Sequence, residues 1–242
     1  MIIIQQLEKK YNNRIVLSIP ELKIGSGEFL GIVGNNGAGK TTLLRLMLDL
    51  IKADTGIIYS KNEPIFNSEK WKSYTGSYLD DGFLIDFLTP EEFFHFVGNT
   101  YSLNKKIVNE RIKKFDSFFN GEIIGKEKKF IRDFSKGNKQ KIGICSALLS
   151  NPSVLILDEP FDGLDPTSQM TLKNILTNYN KANNATIILS SHDLNYVTEL
   201  SKRIVLIEKG IIIQDTINTE STLVDLQNYF NMSNELIQGN NY

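Results

Sequence analysis

The chain has 242 residues, of which 41% are hydrophobic and 23% charged, and this balance indicates a folded globular protein rather than a disordered one. Its formal net charge is −1, so nothing in the charge favours nucleic acid as a partner. The single cysteine, Cys145, excludes an intramolecular disulfide and lies in the apolar run IGICSALL, where we expect a buried structural thiol.

Neither a secretory signal nor a membrane span is expected. The N-terminal segment MIIIQQLEKK turns polar too early for a signal peptide. No apolar run approaches the roughly 18 residues needed to cross a bilayer. We therefore expect a soluble chain that reaches a membrane only through a partner.

The first elements in chain order are alternating strands and then a buried one. The stretches RIVLSI and LKI alternate and predict antiparallel strands. FLGIV (29–33) is apolar on both faces, as in a parallel sheet that is covered on both sides. A Gly-rich loop follows, and TTLLRLMLDLI then has apolar residues at helical spacing. This region therefore reads strand, loop, helix.

The middle of the chain has a helical pattern. Thr89-Pro90-Glu91-Glu92 forms a capping box with Pro at the first helical position. Most of the phenylalanines that crowd this region are expected in a core and some on a docking surface. They are Phe83, Phe87, Phe93, Phe94, Phe96, Phe115, Phe118 and Phe119. We predict a helical subdomain, about 82–150, inserted in an α/β core.

Two more buried strands, VLILD (154–158) and TIILS (186–190), follow the insertion. RIVLIEKGIIIQD reads as a hairpin that turns at Lys209-Gly210, and we expect it to add antiparallel strands beside the parallel core. STLVDLQNYF predicts one amphipathic helix before a polar tail that frays. One domain is therefore expected over 1–215, with a short C-terminal helix and tail over 216–242.

The segment GNNGAGKT matches the phosphate-loop pattern G-x-x-x-x-G-K-[ST] with Gly34, Gly39, Lys40 and Thr41 at the fixed positions. Glycines let backbone N–H groups wrap phosphates at a helix N-terminus. Lysine adds a point charge, and the threonine hydroxyl is suited to Mg²⁺. The same site is predicted to include Asn35, Asn36, Gly37, Ala38 and Thr42.

Charged and polar residues follow the other two buried strands. Asp158 ends one strand beside the phosphate loop, where Mg²⁺ needs a protein partner. Glu159, one residue further, is placed to orient or activate a water. His192 follows the third buried strand at the same edge and is interpreted as a γ-phosphate sensor. We predict Lys40, Glu159 and His192 as the catalytic residues.

A second cradle-like segment, DFSKGNKQK (133–141), stands about a hundred residues after the first. From its residues alone it predicts only an anion site at a helix start. Taken in order, GNNGAGKTT, FSKGNKQK, LILDEPFDGLD and SSHD closely resemble the motifs of the ATP-binding cassette (ABC) family of transporter ATPases, from about Tyr11 to about Asp215. The resemblance implies a RecA-like P-loop NTPase core with an antiparallel β-subdomain and an inserted α-helical subdomain. It also implies that the protein binds ATP and Mg²⁺.

The resemblance also implies roles for residues outside the first cradle. The second cradle, with Ser135, Gly137 and Asn138, would close over ATP held by a second cassette, so that two ATPs are sandwiched head to tail. Tyr11 resembles the aromatic residue that stacks on adenine, and Asp165 is the acid of the loop that links the two sites. Phe134, Lys136 and Asn138 depart from the family consensus, and the variant resembles those of exporters for drugs, peptides and polysaccharides.

The clearest departure lies in GSYLDDGFLIDFLTPEE. The family's glutamine, a Mg²⁺ ligand that senses the membrane subunit, falls here on Asp80. An aspartate also ligates Mg²⁺ through oxygen, but it is shorter and charged. We predict Asp80 as a metal ligand with Thr41 and Asp158, and Asp81 as a possible substitute for it.

The favoured function is the ATP-hydrolysing subunit of a membrane transporter, with an exporter preferred. It implies a separate integral membrane permease, a second and preferably identical cassette, and a cytoplasmic location on the inner face of the cell membrane. One alternative is a soluble cassette ATPase of translation or DNA repair, but such relatives typically carry two cassettes or a long coiled-coil insertion. The other is a non-hydrolysing, ATP-gated module, against which the intact Lys40, Asp158, Glu159 and His192 argue.

Overall fold

The computed structural model describes residues 1–126 and 128–239, without the side chains of Asp81 and of residues 232–239. The strands of this part of the chain are β1 (Ile2–Tyr11), β2 (Arg14–Ile24), β3 (Phe29–Val33), β4 (Thr55–Ser60), β5 (Glu63–Pro64), β6 (Thr75–Tyr78), β7 (Val154–Asp158), β8 (Thr186–Ser191), β9 (Arg203–Glu208) and β10 (Ile211–Ile217). Its α-helices are α1 (Lys40–Met47), α2 (Pro90–Thr100), α3 (Lys105–Lys113), α4 (Asp116–Phe119), α5 (Lys136–Leu148), α6 (Pro166–Asn183), α7 (Leu194–Leu200) and α8 (Thr222–Gly239).

Two sheets organise the chain. The first is antiparallel, with the strand order β2-β1-β4-β5, and the second, core sheet has the order β10-β9-β3-β8-β7-β6. The predicted buried strands are β3, β8 and β7, which lie side by side and parallel in the core sheet. Every residue of these three strands is buried, so the prediction from their two apolar faces is confirmed.

The predicted hairpin forms, with Lys209 and Gly210 at positive φ in its turn. The prediction that both strands of the hairpin lie as antiparallel strands beside the parallel core is only partly correct. Strand β9 pairs parallel with β3 inside the core sheet, and only β10 is antiparallel, at the edge. The four central residues of β9 are buried, because the chain crosses over through α7 and returns alongside β3.

The helical insertion lies between β6 and β7. The capping box at α2 is confirmed: Thr89 Oγ1 accepts from the Glu92 N–H at 3.3 Å, and Glu92 Oε2 accepts from the Thr89 N–H at 2.8 Å. Four of the crowded phenylalanines are buried in the core of this subdomain, namely Phe93, Phe94, Phe118 and Phe119. Three others are exposed, namely Phe83, Phe87 and Phe96.

The Cys145 thiol is buried within α5, as expected, and burial raises its pKa well above the ordinary value. Within the described residues no helix combines the length and the apolar character that crossing a membrane requires.

The C-terminal helix is longer than the sequence predicts. Helix α8 continues through Gly239, where a fraying tail was expected after Phe230, and residues 240–242 lie outside the described residues. Leu226 is buried, and Tyr229 and Phe230 pack on the core cluster. These apolar residues anchor the predicted part of the helix to the core.

Candidate functional site

The phosphate loop connects β3 to α1 at the carboxyl edge of the core sheet. Gly39 precedes the helix with φ 111°, and no side chain caps the first turn. A Cβ at Gly34 would lie 2.3 Å from the Ile207 carbonyl oxygen, so the loop passes too close to β9 for a side chain. Because no side chain caps α1, the N–H groups of its first turn have no side-chain acceptor. Such N–H groups are suited to bind an anionic ligand.

Lys40 links this loop to the end of β7. Its side chain is only 5% exposed, and Nζ donates to the Gly34 carbonyl at 2.7 Å. Nζ also lies 3.2 Å from Glu159 Oε1. A buried ammonium needs such partners. The phosphate-loop cation and the predicted catalytic carboxylate are therefore in direct contact.

Thr41 and Asp158 form the next contact at this edge. Thr41 Oγ1 donates to Asp158 Oδ2 at 2.5 Å, and the Ser190 hydroxyl donates to the other carboxylate oxygen. Burial raises the pKa of Asp158, and the hydrogen bonds from Ser190 and Thr41 oppose that rise.

The Thr41–Asp158 pair fits a Mg²⁺ ion. It offers a hydroxyl and a carboxylate oxygen beside the phosphate loop, and a cation there would offset the burial of the carboxylate. Among the described residues no group of three or more His, Cys, Asp or Glu side chains is arranged to hold a metal. A site with few protein ligands suits Mg²⁺, which usually keeps several waters and takes its other oxygens from substrate phosphates.

Glu159 has an unusual backbone conformation with φ 46°. Such a conformation costs about 1–3 kcal/mol for a non-glycine residue and needs support from its surroundings. The Glu159 N–H donates to the Ser190 carbonyl at 3.2 Å and to Ser190 Oγ at 3.1 Å. Gln140 of α5 donates its side-chain N–H to the Glu159 carbonyl at 3.1 Å. These bonds hold the strained residue and thereby aim its carboxylate.

The Glu159 carboxylate lies between His192 and Lys40. Its Oε2 accepts from the His192 backbone N–H at 3.1 Å and lies 2.9 Å from the His192 ring Nδ1. Its Oε1 is buried, with no well-aligned hydrogen-bond donor among the described residues beyond the ion contact with Lys40. An oriented carboxylate with remaining acceptor capacity is suited to take a proton from a water.

The second cradle is the N-terminus of α5. Ser135 caps this helix, and its Oγ accepts from the Asn138 N–H at 3.3 Å. Asn138 in turn donates its side-chain N–H to Glu122 at 3.1 Å. In the described part of the chain these bonds stay inside the helical subdomain, so the structure does not bring Ser135 and Asn138 to the phosphate loop of the same chain.

The second cradle packs against the loop 161–165. A Cβ at Gly137 would lie 2.7 Å from the Gly163 carbonyl oxygen. Asp165 caps α6 by accepting from the Ser168 N–H at 3.0 Å, and its Oδ2 lies 3.9 Å from Lys141 Nζ of α5. The linking loop and the second cradle are therefore in contact within one chain.

Tyr11 lies at the end of β1, just before a turn in which Asn12 and Asn13 have positive φ. Its ring is half exposed, and the Lys9 ammonium lies 5.3 Å from the ring centroid. The ring is accessible to a stacking partner, which is the role that the resemblance predicts for it.

Asp80 lies two residues past β6, at the same sheet edge as Asp158. Its Oδ1 accepts from the Gly82 N–H at 2.8 Å, and its Oδ2 lies 3.5 Å from Arg45 of α1. Among the described residues no hydrogen bond joins it to the Thr41–Asp158 pair. The structure gives Asp80 a cationic neighbour instead, and its role as a metal ligand stays a prediction. The Asp81 side chain lies outside the described part.

Sequence reasoning missed Ser190 and Gln140, which support Asp158 and Glu159. Ser190 is the residue opposite Asp158 in the β7–β8 register, so a polar residue directly after the apolar run of a buried strand was the available signal. It also missed that α8 reaches the site. A space of about 430 Å³ is bordered by Asn35 and His192 on one side and by Gln227 and Phe230 of α8 on the other.

Comparison with known proteins places these features in a family. Residues 17–162 match the family model described as ABC transporter. The chain is 33% identical over 203 residues to the ABC transporter ATP-binding protein sll0415 of Synechocystis, covering 83% of this chain and 57% of that protein. It is also 33% identical over 214 residues to the bacitracin transport ATP-binding protein BcrA of Bacillus licheniformis, covering 86% of this chain and 67% of that protein. The chain thus spans little more than half the length of the first of these relatives.

Among solved structures, the fold is similar to that of the ATP-binding cassette MJ0796, solved as a dimer in a post-hydrolysis state with ADP and Pi. The TM-score is 0.80 at 23% identity, and the similarity covers 90% of this chain and 99% of that one. At this identity the likeness concerns the fold, which it confirms as the cassette architecture expected from the motifs.

Proposed function

Since this chain belongs to the ABC transporter family, we propose that it is an ATP-binding and ATP-hydrolysing subunit that powers transport by a separate membrane subunit. The observation that carries the proposal is the contact of Glu159 with both Lys40 (3.2 Å) and His192 (2.9 Å) beside the Thr41–Asp158 pair. Cation, acid and histidine then surround the place where a terminal phosphate on the loop would lie.

The residues act as follows in this proposal. The N–H groups of the phosphate loop and Lys40 bind the β- and γ-phosphates. Thr41 and Asp158 would hold Mg²⁺, which supplies neutralisation of phosphate charge. Glu159 orients the attacking water and accepts its proton, and His192 positions the Glu159 carboxylate and contacts the γ-phosphate. Tyr11 stacks on the adenine.

The second cradle acts on another molecule in this proposal. Ser135 and Gly137 at the start of α5 contact the γ-phosphate of ATP bound to a second copy of the chain, and Asp165 lies at the boundary between the copies. The dimeric MJ0796 cassette, whose fold this chain shares, supports such an assembly. ATP binding closes the dimer, and hydrolysis reopens it.

A groove beside the helical subdomain is proposed as the docking place for a short cytoplasmic helix of the membrane subunit. It has a volume of about 370 Å³, and Phe83 and Phe96 border it. Phe83 is 55% exposed, and a large exposed apolar side chain at a groove suits helix-in-groove recognition. The chain would then lie on the cytoplasmic face of the membrane. The bacitracin transport relative and the second-cradle variant favour an exporter.

Replacing Glu159 tests the proposal. Glu159→Gln should bind Mg²⁺-ATP, lose most turnover, and accumulate as an ATP-dependent dimer, because closure no longer leads to reopening. The measurements are phosphate release and sedimentation with ATP or ADP. Glu21→Gln, an exposed carboxylate on β2, is the matched control and should keep wild-type turnover. Turnover at the wild-type rate in Glu159→Gln would contradict the role of Glu159.

A further inference from the structure

A lysine of the second cradle is paired with an acid of the loop that follows Glu159. Lys136 is the first residue of α5, and its Nζ donates to Asp162 Oδ2 at 2.6 Å. Both side chains are at least half exposed. An exposed ion pair of this kind contributes little to stability and separates readily.

Asp162 also faces the catalytic groups of its own chain. Its N–H donates to the Glu159 carbonyl at 3.1 Å, and it borders a space of about 160 Å³ together with Glu159 and His192. The hydrogen bond from Lys136 lowers the pKa of Asp162, and the charge of His192 acts in the same direction. One carboxylate therefore contacts the second cradle and lies beside the first site.

The backbones around this pair fit closely. Gly137 and Gly163 approach each other without an intervening side chain, and the Lys136 stem lies 3.5 Å from the position that a Gly163 Cβ would take. The lysine head can thus change partners by rotating its stem, because the backbone contact between α5 and the loop does not depend on it.

We propose that Lys136 is a shared cation, bound to Asp162 in the separate chain and transferred to the terminal phosphate of ATP held by a second copy when the two copies close. This inference rests on the ATP sandwich of the proposed function. A terminal phosphate carries more charge than a carboxylate and competes well for an ammonium. Transfer frees Asp162 beside His192, so occupancy of the second cradle is signalled to the first site of the same chain.

The proposal predicts opposite effects for the two partners. In the Glu159→Gln background, the dissociation constant of the ATP-dependent dimer is measured by sedimentation, and ATP binding is titrated for each variant. Lys136→Gln should weaken the dimer about tenfold, because a charged contact with phosphate is lost. Asp162→Asn should tighten it about threefold, because the Asp162 carboxylate no longer competes with the phosphate for Lys136. The double variant should match Lys136→Gln, and Lys136→Arg should keep the dimer.

If the Lys136–Asp162 ion pair instead stays formed and only holds α5 to the loop, the variants should change the dimer differently. In that case both single variants weaken the dimer, and the exchange Lys136→Asp with Asp162→Lys restores it. That result would overturn the shared-cation inference and leave the sandwich intact. A Glu159→Gln chain that binds ATP but stays monomeric would overturn the sandwich, and the inference with it.

Discussion

The two anion cradles of this chain both lie at the start of an α-helix, yet they are built differently. In the first, no side chain caps α1, and Lys40 is buried in contact with Glu159. In the second, Ser135 caps α5 with its own hydroxyl, and the Lys136 side chain is 67% exposed. Both lysines are paired with an acid of the same chain, but the Lys40 pair is buried, whereas the pair of Lys136 with Asp162 is exposed. That difference suits a ligand bound in cis at the first and one delivered by another molecule at the second.

The largest expected effect comes from removing the buried cation of the first cradle. Lys40→Met should weaken ATP binding about a hundredfold, because a charged hydrogen-bond donor to the phosphates is lost. A titration with a fluorescent ATP analogue measures this. Lys23→Met, at an exposed lysine of β2, is the matched control and should bind normally. Near-normal binding by Lys40→Met would mean that the first cradle does not depend on its lysine.

The second cradle is tested by filling its close contact with the loop 161–165. A Cβ in Gly137→Ala would lie 2.7 Å from the Gly163 carbonyl oxygen, so backbone must shift. Overpacking of this kind costs about 1–3 kcal/mol. We expect the ATP-dependent dimer in the Glu159→Gln background to weaken about tenfold.

The control for this substitution is Lys105→Ala, at an exposed helix start in the same subdomain, which should leave the dimer unchanged. Nucleotide titration and thermal unfolding of both variants separate a cradle effect from general destabilisation. If Gly137→Ala dimerises like its parent, the close packing of the second cradle has no part in assembly.

The proposed docking groove lies between the helical subdomain and the core, where it is bordered by Phe83 and Phe96 on one side and by Leu48 and Trp71 on the other. Phe83→Ala should reduce co-sedimentation with native membranes about fivefold, since about half of a phenylalanine's burial energy is lost. Phe66→Ala is the matched control, because Phe66 is also half exposed but lies beside another surface pocket. Equal membrane association of both variants would place the contact elsewhere.

The parts of the fold that depend on local pattern could be predicted from the sequence. Strands β3, β7 and β8 follow from runs that are apolar on both faces, and the α2 start follows from its capping box. The parallel pairing of β9 with β3 could not be predicted, because a hairpin pattern fixes only how β9 meets β10. The length of α8 was missed because most residues after Phe230 are polar, and this polarity was interpreted as a frayed end.

In the candidate site, too, the features that follow a local sequence pattern could be predicted, and those that depend on tertiary contacts could not. The phosphate loop, Asp158 and Glu159 follow from spacing, since each stands directly after a buried strand or in a fixed pattern. The support of Glu159 by Gln140 joins residues 19 positions apart on different elements, and no sequence pattern indicates it. The partner of Asp80, Arg45, is likewise visible only in the structure.

The smallest expected effect concerns Asp80, where the first cradle meets the helical subdomain. If Asp80 turns from Arg45 to Mg²⁺ when ATP binds, its charge strengthens metal coordination, because a carboxylate is a better ligand for a hard cation than an amide. Asp80→Asn should then weaken the apparent Mg²⁺ affinity in ATP hydrolysis about threefold, a loss typical of one partly screened charge. Turnover measured against Mg²⁺ concentration checks this.

Arg45→Gln separates the two roles of Asp80. The contact between Arg45 and Asp80 is long, at 3.5 Å, and both side chains are about half exposed, so the pair itself contributes little. If Asp80 is a metal ligand, removing Arg45 frees the carboxylate, and the apparent Mg²⁺ affinity should rise. If Asp80 serves only to hold Arg45, both variants change turnover alike and neither shifts the Mg²⁺ dependence. The sign of the Arg45→Gln effect therefore decides whether Asp80 is a metal ligand of the first cradle.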